Sequence, residues 1–172
     1  MEIIVVSDTN ILIDLIKSGL LEQFLSLPFE VHTTDMVIFE VTDPDQKAKV
    51  TTVIKQGYLK VKTFTSKEML KLYAFVNSKR QKSNLSPADF SVWAYAADNN
   101  YPLLTGDGNL RKLAIADGVE VHGTLYIFDK MVEHMILTPV AAADSLELLN
   151  QINHRLPKSE VDLRLKRWRE KQ

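Results

Sequence analysis

Two apolar segments that each end at an aspartate constrain the fold of this chain more than any other feature. The first covers residues 3–6 and is followed by Ser7-Asp8, after which a new apolar run begins at Ile11. The second covers residues 101–104 and is followed by Thr105-Gly106-Asp107. Apolar runs of this length are typical of buried strands, and in open α/β sheets ligands collect at the carboxyl ends of strands. The pattern predicts that Asp8 and Asp107 share one edge of a sheet.

Strand-like and helix-like segments alternate along the rest of the chain. Residues 29–33, 59–64 and 119–122 have strand patterns, and the strict alternation of residues 59–64 predicts an edge strand. Ser86-Pro87-Ala88-Asp89 has the residues of a helix start, with Ser as the cap and Pro at the first position. The alternation predicts an α/β, three-layer fold in which helices flank a central, mostly parallel sheet. We expect this domain to span residues 1–153, with a C-terminal helical extension over residues 154–172.

Charge and cysteine content exclude several classes of function. The formal net charge is −1, but residues 155–172 hold seven Lys or Arg against three Asp or Glu, which leaves about −5 on the remainder. A nucleic acid would therefore be held by local basic patches and not by the overall field. The absence of cysteine excludes disulfides, thiolate nucleophiles and Cys-ligated zinc. No apolar run approaches the roughly 20 residues that span a bilayer, and the first residues do not resemble a signal peptide, so we expect a cytoplasmic protein without a membrane partner.

Four acids are candidates for one site: Asp8 and Asp107 at strand ends, and Glu40 and Asp89 on predicted helices. Two carboxylates about 4 Å apart repel by about 4 kcal/mol at an effective dielectric constant near 20, and none of the four motifs contains a base. A divalent cation would neutralise such a cluster, and oxygen ligands favour magnesium or manganese over zinc. Polar neighbours, Asn10 and Thr105 among them, are suited to orienting the carboxylates.

Each acid also has an ordinary structural interpretation. Asp8-Thr9-Asn10 has the residue types of a strand-to-helix turn, in which Asn10 is a candidate cap, and Asp107 between two glycines fits a turn or cap. A capping box after Ser86 accounts for Asp89. Glu40 fits a solvated helical acid, and its role has three competitors: Asp35, Asp43 and Asp45. These alternatives stay open for the single residues, while the ordered set favours a shared site.

The set of motifs resembles the PIN domain family of metal-dependent ribonucleases, which includes the VapC-like toxins of bacterial toxin–antitoxin pairs. The resemblance is carried by four motifs and covers residues 3 to at least 121: Ser7-Asp8-Thr9-Asn10, Val37-Ile38-Phe39-Glu40, Ser86-Pro87-Ala88-Asp89 and Leu104-Thr105-Gly106-Asp107. A later segment, Gly123-Thr124, is similar to a subgroup in which this pair opens the penultimate helix. The chain departs from the family pattern in the two glycines that flank Asp107 and in its C-terminal tail.

The resemblance implies an endoribonuclease that hydrolyses RNA phosphodiester bonds with magnesium or manganese. Asp8, Glu40, Asp89 and Asp107 would be the catalytic, metal-binding acids, supported by Asn10 and Thr105. Expected partners are an RNA substrate, a protein antitoxin and a second copy of the chain, with the tail as an antitoxin-binding, dimer or RNA-contacting element. The candidate phosphate contacts are the basic residues of the segment after residue 77 and of the tail: Lys79, Arg80, Lys82, Arg164, Lys166, Arg167 and Arg169.

Two other classes of function remain open. One is a PIN-like fold that has lost catalysis and serves as an RNA-binding or assembly module. The other is a phosphotransferase with an aspartyl nucleophile, similar to the haloacid dehalogenase-like enzymes. That hypothesis requires a second aspartate two residues after Asp8, where this chain has Asn10.

Overall fold

The central sheet has five strands among residues 3–79 and 84–170, which are the residues that the computed structural model describes. The strand order is β3-β2-β1-β4-β5 and every pairing is parallel. The strands are β1 (Ile3–Ser7), β2 (Phe29–Thr34), β3 (Leu59–Lys62), β4 (Leu103–Leu104) and β5 (Val121–His122). This confirms the predicted α/β class with a parallel sheet, and it places β3 at an edge as its alternating pattern predicted.

Ten helices connect and flank these strands within the same described ranges. They are α1 (Thr9–Lys17), α2 (Leu21–Leu25), α3 (Asp35–Glu40), α4 (Pro44–Lys55), α5 (Ser66–Lys79), α6 (Pro87–Asn99), α7 (Gly108–Ala116), α8 (Thr124–Glu133), α9 (Pro139–Ile152) and α10 (Lys158–Arg169). In the segment after residue 77, Ser78 and Lys79 belong to α5, and residues 80–83 lie outside the described residues. No helix in the described part of the chain is long and apolar enough to cross a membrane.

The core forms where small residues let α6 approach the sheet. Ala88 and Ala96 are buried, and α6 contacts β1, β2 and β4. On the same helix Trp93 is fully buried and meets Phe75 of α5 edge to face, with 5.0 Å between ring centres. Because Asp89 lies in the first turn of α6, this packing also fixes its position relative to the sheet.

The C-terminal segment packs on the rest of the chain through apolar and polar contacts. In α10, Val161 and Trp168 are buried, and the indole of Trp168 stacks on Phe128 of α8 with 6.4 Å between ring centres. Asp14 of α1 is also buried and accepts hydrogen bonds from Asn153 Nδ2 at 2.7 Å and from Thr124 Oγ1 at 3.4 Å. The segment after residue 153 therefore shares the hydrophobic core through Val161 and Trp168.

Candidate functional site

Asp8 lies in the middle of the carboxyl edge of the sheet, directly after β1, and only 1% of it is exposed. Its Oδ1 accepts a 2.6 Å hydrogen bond from the amide of Thr9, which makes Asp8 the N-cap of α1. The expectation that Asn10 is this cap is wrong. Asn10 Oδ1 instead accepts a 3.2 Å hydrogen bond from the amide of Gly106, and so ties the start of α1 to the loop after β4.

Thr105 joins the two strand-end aspartates through one hydroxyl group. Its Oγ1 donates a 2.7 Å hydrogen bond to Asp8 Oδ2 and accepts a 3.0 Å hydrogen bond from the amide of Asp107. Asp107 in turn caps α7, because its Oδ1 accepts a 2.7 Å hydrogen bond from the amide of Leu110. Asp8 and Asp107 therefore occupy the same edge of the sheet, and Thr105 lies between them as a connecting group.

Glu40, the last residue of α3, reaches the same edge from the other side of Asp8. Its Oε2 accepts a 2.8 Å hydrogen bond from the hydroxyl of Thr9. Among its competitors, Asp43 caps α4 by accepting a 2.9 Å hydrogen bond from the amide of Gln46, and Asp45 lies in the first turn of that helix. The contact with Thr9 thus distinguishes Glu40 from both.

Asp35 is an acid of this edge that the sequence indicated only as a competitor of Glu40. It follows β2 directly, and it lines a cavity together with Glu40. Its Oδ1 is buried and has no hydrogen-bond partner among the described residues. Its position directly after a strand is the same signal that identified Asp8.

Asp89 combines its ordinary structural role with a place near the other acids. Its Oδ2 accepts a 2.8 Å hydrogen bond from the amide of Ser86, and Ser86 Oγ accepts a 3.1 Å hydrogen bond from the amide of Asp89. The predicted capping box is therefore present. Burial raises the pKa of Asp89, and the charges of Glu40 and Asp107 raise it further against the hydrogen bonds from Ser86.

The electrostatics of Asp8 show that the acids act on one another. Burial raises the pKa of Asp8 to about 7, and the charges of Asp89 and Glu40 add to this effect. The hydrogen bonds from Thr105 and Thr9 oppose it only in part. Across the described ranges, none of the four acids forms a salt bridge with a basic side chain. The edge therefore concentrates negative charge without neutralising it.

This donor set fits magnesium or manganese in its chemistry, since its ligand atoms are carboxylate oxygens and hard cations prefer oxygen. As the side chains stand, no three Asp, Glu or His residues in residues 3–79 and 84–170 come close enough together to hold one ion. Asp8, Asp89 and Asp107 each direct one oxygen to a backbone amide, and Glu40 directs one to Thr9. Each carboxylate oxygen has a second lone pair, so these contacts do not exhaust its capacity to accept.

The basic residues expected to contact RNA are largely occupied by acids. Lys79 pairs with Asp117 at 2.6 Å, and the tail residues form a network in which Asp129, Glu147, Glu160 and Glu170 neutralise Arg164, Lys166, Arg167 and Arg169. Arg80 and Lys82 lie outside the described residues. The sequence did not indicate Arg111 and Arg155 as candidate phosphate contacts, because it does not show which basic side chains form salt bridges with acids.

Comparison with known proteins supports the resemblance seen in the motifs. A family model described as a PIN domain matches residues 4–170, which is nearly the whole chain. No curated protein matches the chain. The matched range includes the four acids, Asn10, Thr105 and helix α10.

Proposed function

Because the chain belongs to the PIN-domain family, we propose that it is a metal-dependent endoribonuclease that hydrolyses RNA phosphodiester bonds. PIN domains are generally nucleases. The observation that supports the proposal best is the environment of Asp8: a buried carboxylate whose pKa is raised to about 7 by burial and by the neighbouring acids Asp89 and Glu40. A structural role alone does not require several unneutralised acids at the ligand-binding edge of a sheet.

In this proposal Asp8, Glu40, Asp89 and Asp107 bind magnesium or manganese. A bound divalent ion would polarise the phosphodiester and lower the pKa of a water nucleophile. Thr105 holds Asp8 in one orientation, and Thr9 does the same for Glu40. Asn10 fixes the backbone at Gly106, and thereby the loop that carries Asp107.

The test combines metal binding with RNA cleavage. The parent protein is titrated calorimetrically with manganese and incubated with a labelled single-stranded RNA in manganese buffer. In the double variant Asp8→Asn/Asp107→Asn we expect manganese affinity at least about tenfold lower and cleavage about a hundredfold slower, since the removed groups carry the negative charge of the site. Asp98→Asn/Asp144→Asn removes two exposed acids elsewhere and is the matched control. Equal manganese binding by all three proteins would refute the proposal.

A second candidate function is a catalytically inactive PIN-like module that binds RNA or assembles with other proteins. It is favoured by the fact that three of the four acids cap helices while no three acids in the described ranges converge on one point. A parent protein that binds single-stranded RNA but cleaves none with either manganese or magnesium would establish this alternative.

We extend the proposal to a toxin of a toxin–antitoxin pair, which rests on the resemblance to the VapC-like subgroup. The predicted partner is then a small protein encoded next to this chain. Expression of the chain in bacteria should arrest growth, while Asp8→Asn and co-expression of the neighbouring reading frame should each restore it. Arrest that persists in Asp8→Asn would exclude nuclease activity as the cause.

A further inference from the structure

A second cavity opens beside the acid edge, on the side away from Glu40. Its volume is about 480 Å³, and it is lined by Thr105 and Gly106 after β4, by Gly123 before α8, and by the segment after α9. Thr105 thus belongs to both places, because it lines this cavity and donates its hydroxyl to Asp8. A ligand in the cavity would lie next to the acids.

Two exposed arginines bring positive charge to this cavity. Arg111 of α7 and Arg155 of the segment after α9 line it, both are exposed, and neither forms a salt bridge with an acid in the part of the chain that the structure describes. The nearby acids are occupied: Glu160 pairs with Arg164, and Asp14 accepts hydrogen bonds from Asn153 and Thr124. Burial raises the pKa of Asp14, and the hydrogen bonds from Asn153 and Thr124 and then the charge of Arg155 oppose this rise.

The backbone of the cavity wall allows close approach. Gly106, Gly108 and Gly123 all line it, and Gly123, which precedes α8, provides no side-chain cap for that helix. A Cβ at Gly123 would lie 3.6 Å from a terminal nitrogen of Arg111 and would narrow the space beside the guanidinium. The wall therefore leaves the arginines accessible to a ligand.

The chemistry of the cavity favours a phosphate over a base. Two aromatic rings in its lining, Tyr126 and His122, stack on each other with 3.8 Å between ring centres, so these two ring faces are not available to a base. Arginine, in contrast, matches the oxygens of a phosphate with two parallel N–H donors. The cavity thus offers guanidinium groups that suit a phosphate.

We propose that this cavity binds a backbone phosphate of the RNA strand that crosses the acid edge, through Arg111 and Arg155. The inference deepens the proposed nuclease function, on which it rests, by naming the residues that hold the strand beside the acids. It assigns RNA binding to the two arginines of the cavity and not to the basic face of α10. The arginines of α10 are already paired with Asp129, Glu147 and Glu160.

The test measures binding without cleavage. A fluorescein-labelled, unstructured 12-nucleotide RNA is titrated with the full chain in EDTA at several salt concentrations, and anisotropy gives Kd. For Arg111→Ala/Arg155→Ala we expect Kd to rise at least about tenfold. The slope of the logarithm of the binding constant against the logarithm of the salt concentration should become shallower by roughly 0.7 for each phosphate that is no longer neutralised. The matched control is Lys166→Ala/Arg169→Ala, which removes the same charge from exposed tail residues and should change Kd less than about twofold.

Similar weakening in both double variants would overturn the inference, and so would a parent that binds no RNA in EDTA. The unfolding midpoints of all proteins are compared. If the double variant is unstable, Arg111→Gln and Arg155→Gln are tested singly, and each is expected to raise Kd about threefold. Weaker RNA binding in Arg111→Ala/Arg155→Ala alone, by a protein without manganese-dependent cleavage, would support the phosphate site and refute the nuclease function. An unchanged kcat/KM for RNA cleavage by Arg111→Ala/Arg155→Ala would support the nuclease function and refute the phosphate site.

Discussion

The hydroxyl of Thr105 donates a 2.7 Å hydrogen bond to Oδ2 of Asp8, and the two residues are separated by 97 positions in the chain. Oγ1 of Thr105 also accepts a 3.0 Å hydrogen bond from the amide of Asp107. One small side chain therefore orients the buried carboxylate at the end of β1 and the backbone at the end of β4.

Replacing Thr105 with Val should damage the site while keeping its shape. The variant loses the donor to Asp8 and the acceptor for the amide of Asp107, so we expect a loss of about 1–3 kcal/mol in the free energy of unfolding. Because the Thr105 hydrogen bond lowers the pKa of Asp8, that pKa should rise further and manganese binding at pH 7 should weaken. Urea unfolding and manganese titration measure the two effects. Thr105→Ser retains the hydroxyl and should restore both, and a Val variant that binds manganese like the parent would contradict this role.

The raised pKa of Asp8 predicts how stability without metal depends on pH. Its folded pKa is about 7 and its ordinary value is 3.8, so above pH 7 the folded protein carries a buried charge that the unfolded chain solvates freely. As the pH falls from 8 through 7, the folded state takes up a proton before the unfolded state does, and the free energy of unfolding should rise. Asp8→Asn removes this titration. In EDTA at pH 8 this variant should be more stable than the parent by roughly 1–3 kcal/mol. The buried charge of Asp8 costs about 1.4 kcal/mol per unit of its pKa shift, and weaker hydrogen bonds to the asparagine offset part of this gain.

Urea unfolding in EDTA at pH 8, 7 and 6 measures this dependence. Asp144→Asn, which changes an exposed acid of α9, should follow the parent at every pH. A variant Asp8→Asn that is less stable than the parent at pH 8 would show that the hydrogen bonds to Asp8 outweigh the cost of its buried charge.

Asn153 should stabilise the charged form of a buried acid on α1. Its Nδ2 donates a 2.7 Å hydrogen bond to Asp14, whose pKa is raised by burial and lowered again chiefly by this contact. In Asn153→Ala we expect about 1–3 kcal/mol less stability at pH 8, because a buried carboxylate loses a donor. The loss should shrink as the pH falls through the folded pKa of Asp14, since the protonated acid depends less on the missing donor.

Unfolding of Asn153→Ala at pH 8 and at pH 3.8, the ordinary pKa of an aspartate, with exposed Gln151→Ala as control, measures the effect. A loss of equal size at both pH values would mean that Asn153 acts by packing or by its turn, where Oδ1 accepts the amide of Arg155 at 3.0 Å.

The sequence predicted features that depend on local patterns and missed those that depend on distant partners. Ser86 and Asp89 are three positions apart, so their capping box was visible in the sequence. Asn10 has the residue type of a cap, but its side chain binds the amide of Gly106, 96 positions away, and Asp8 caps α1 instead. In the same way the sequence could not show that Arg164 pairs with Asp129, 35 positions earlier, because that pairing is created by the packing of α10 on α8.

The segment after residue 153, which the sequence presents as an extension, contributes a buried tryptophan to the core. Trp168 is 2% exposed and stacks on Phe128, so Trp168→Ala should lower the free energy of unfolding by about 3–5 kcal/mol, the usual cost of removing a large buried side chain. Leu163→Ala changes a residue of the same helix that is 58% exposed and should cost less than about 0.5 kcal/mol. Urea unfolding followed by circular dichroism measures both. A single transition that shifts in Trp168→Ala would show that α10 unfolds together with the sheet, whereas an unshifted main transition would mean that α10 detaches independently and that the core is complete without it.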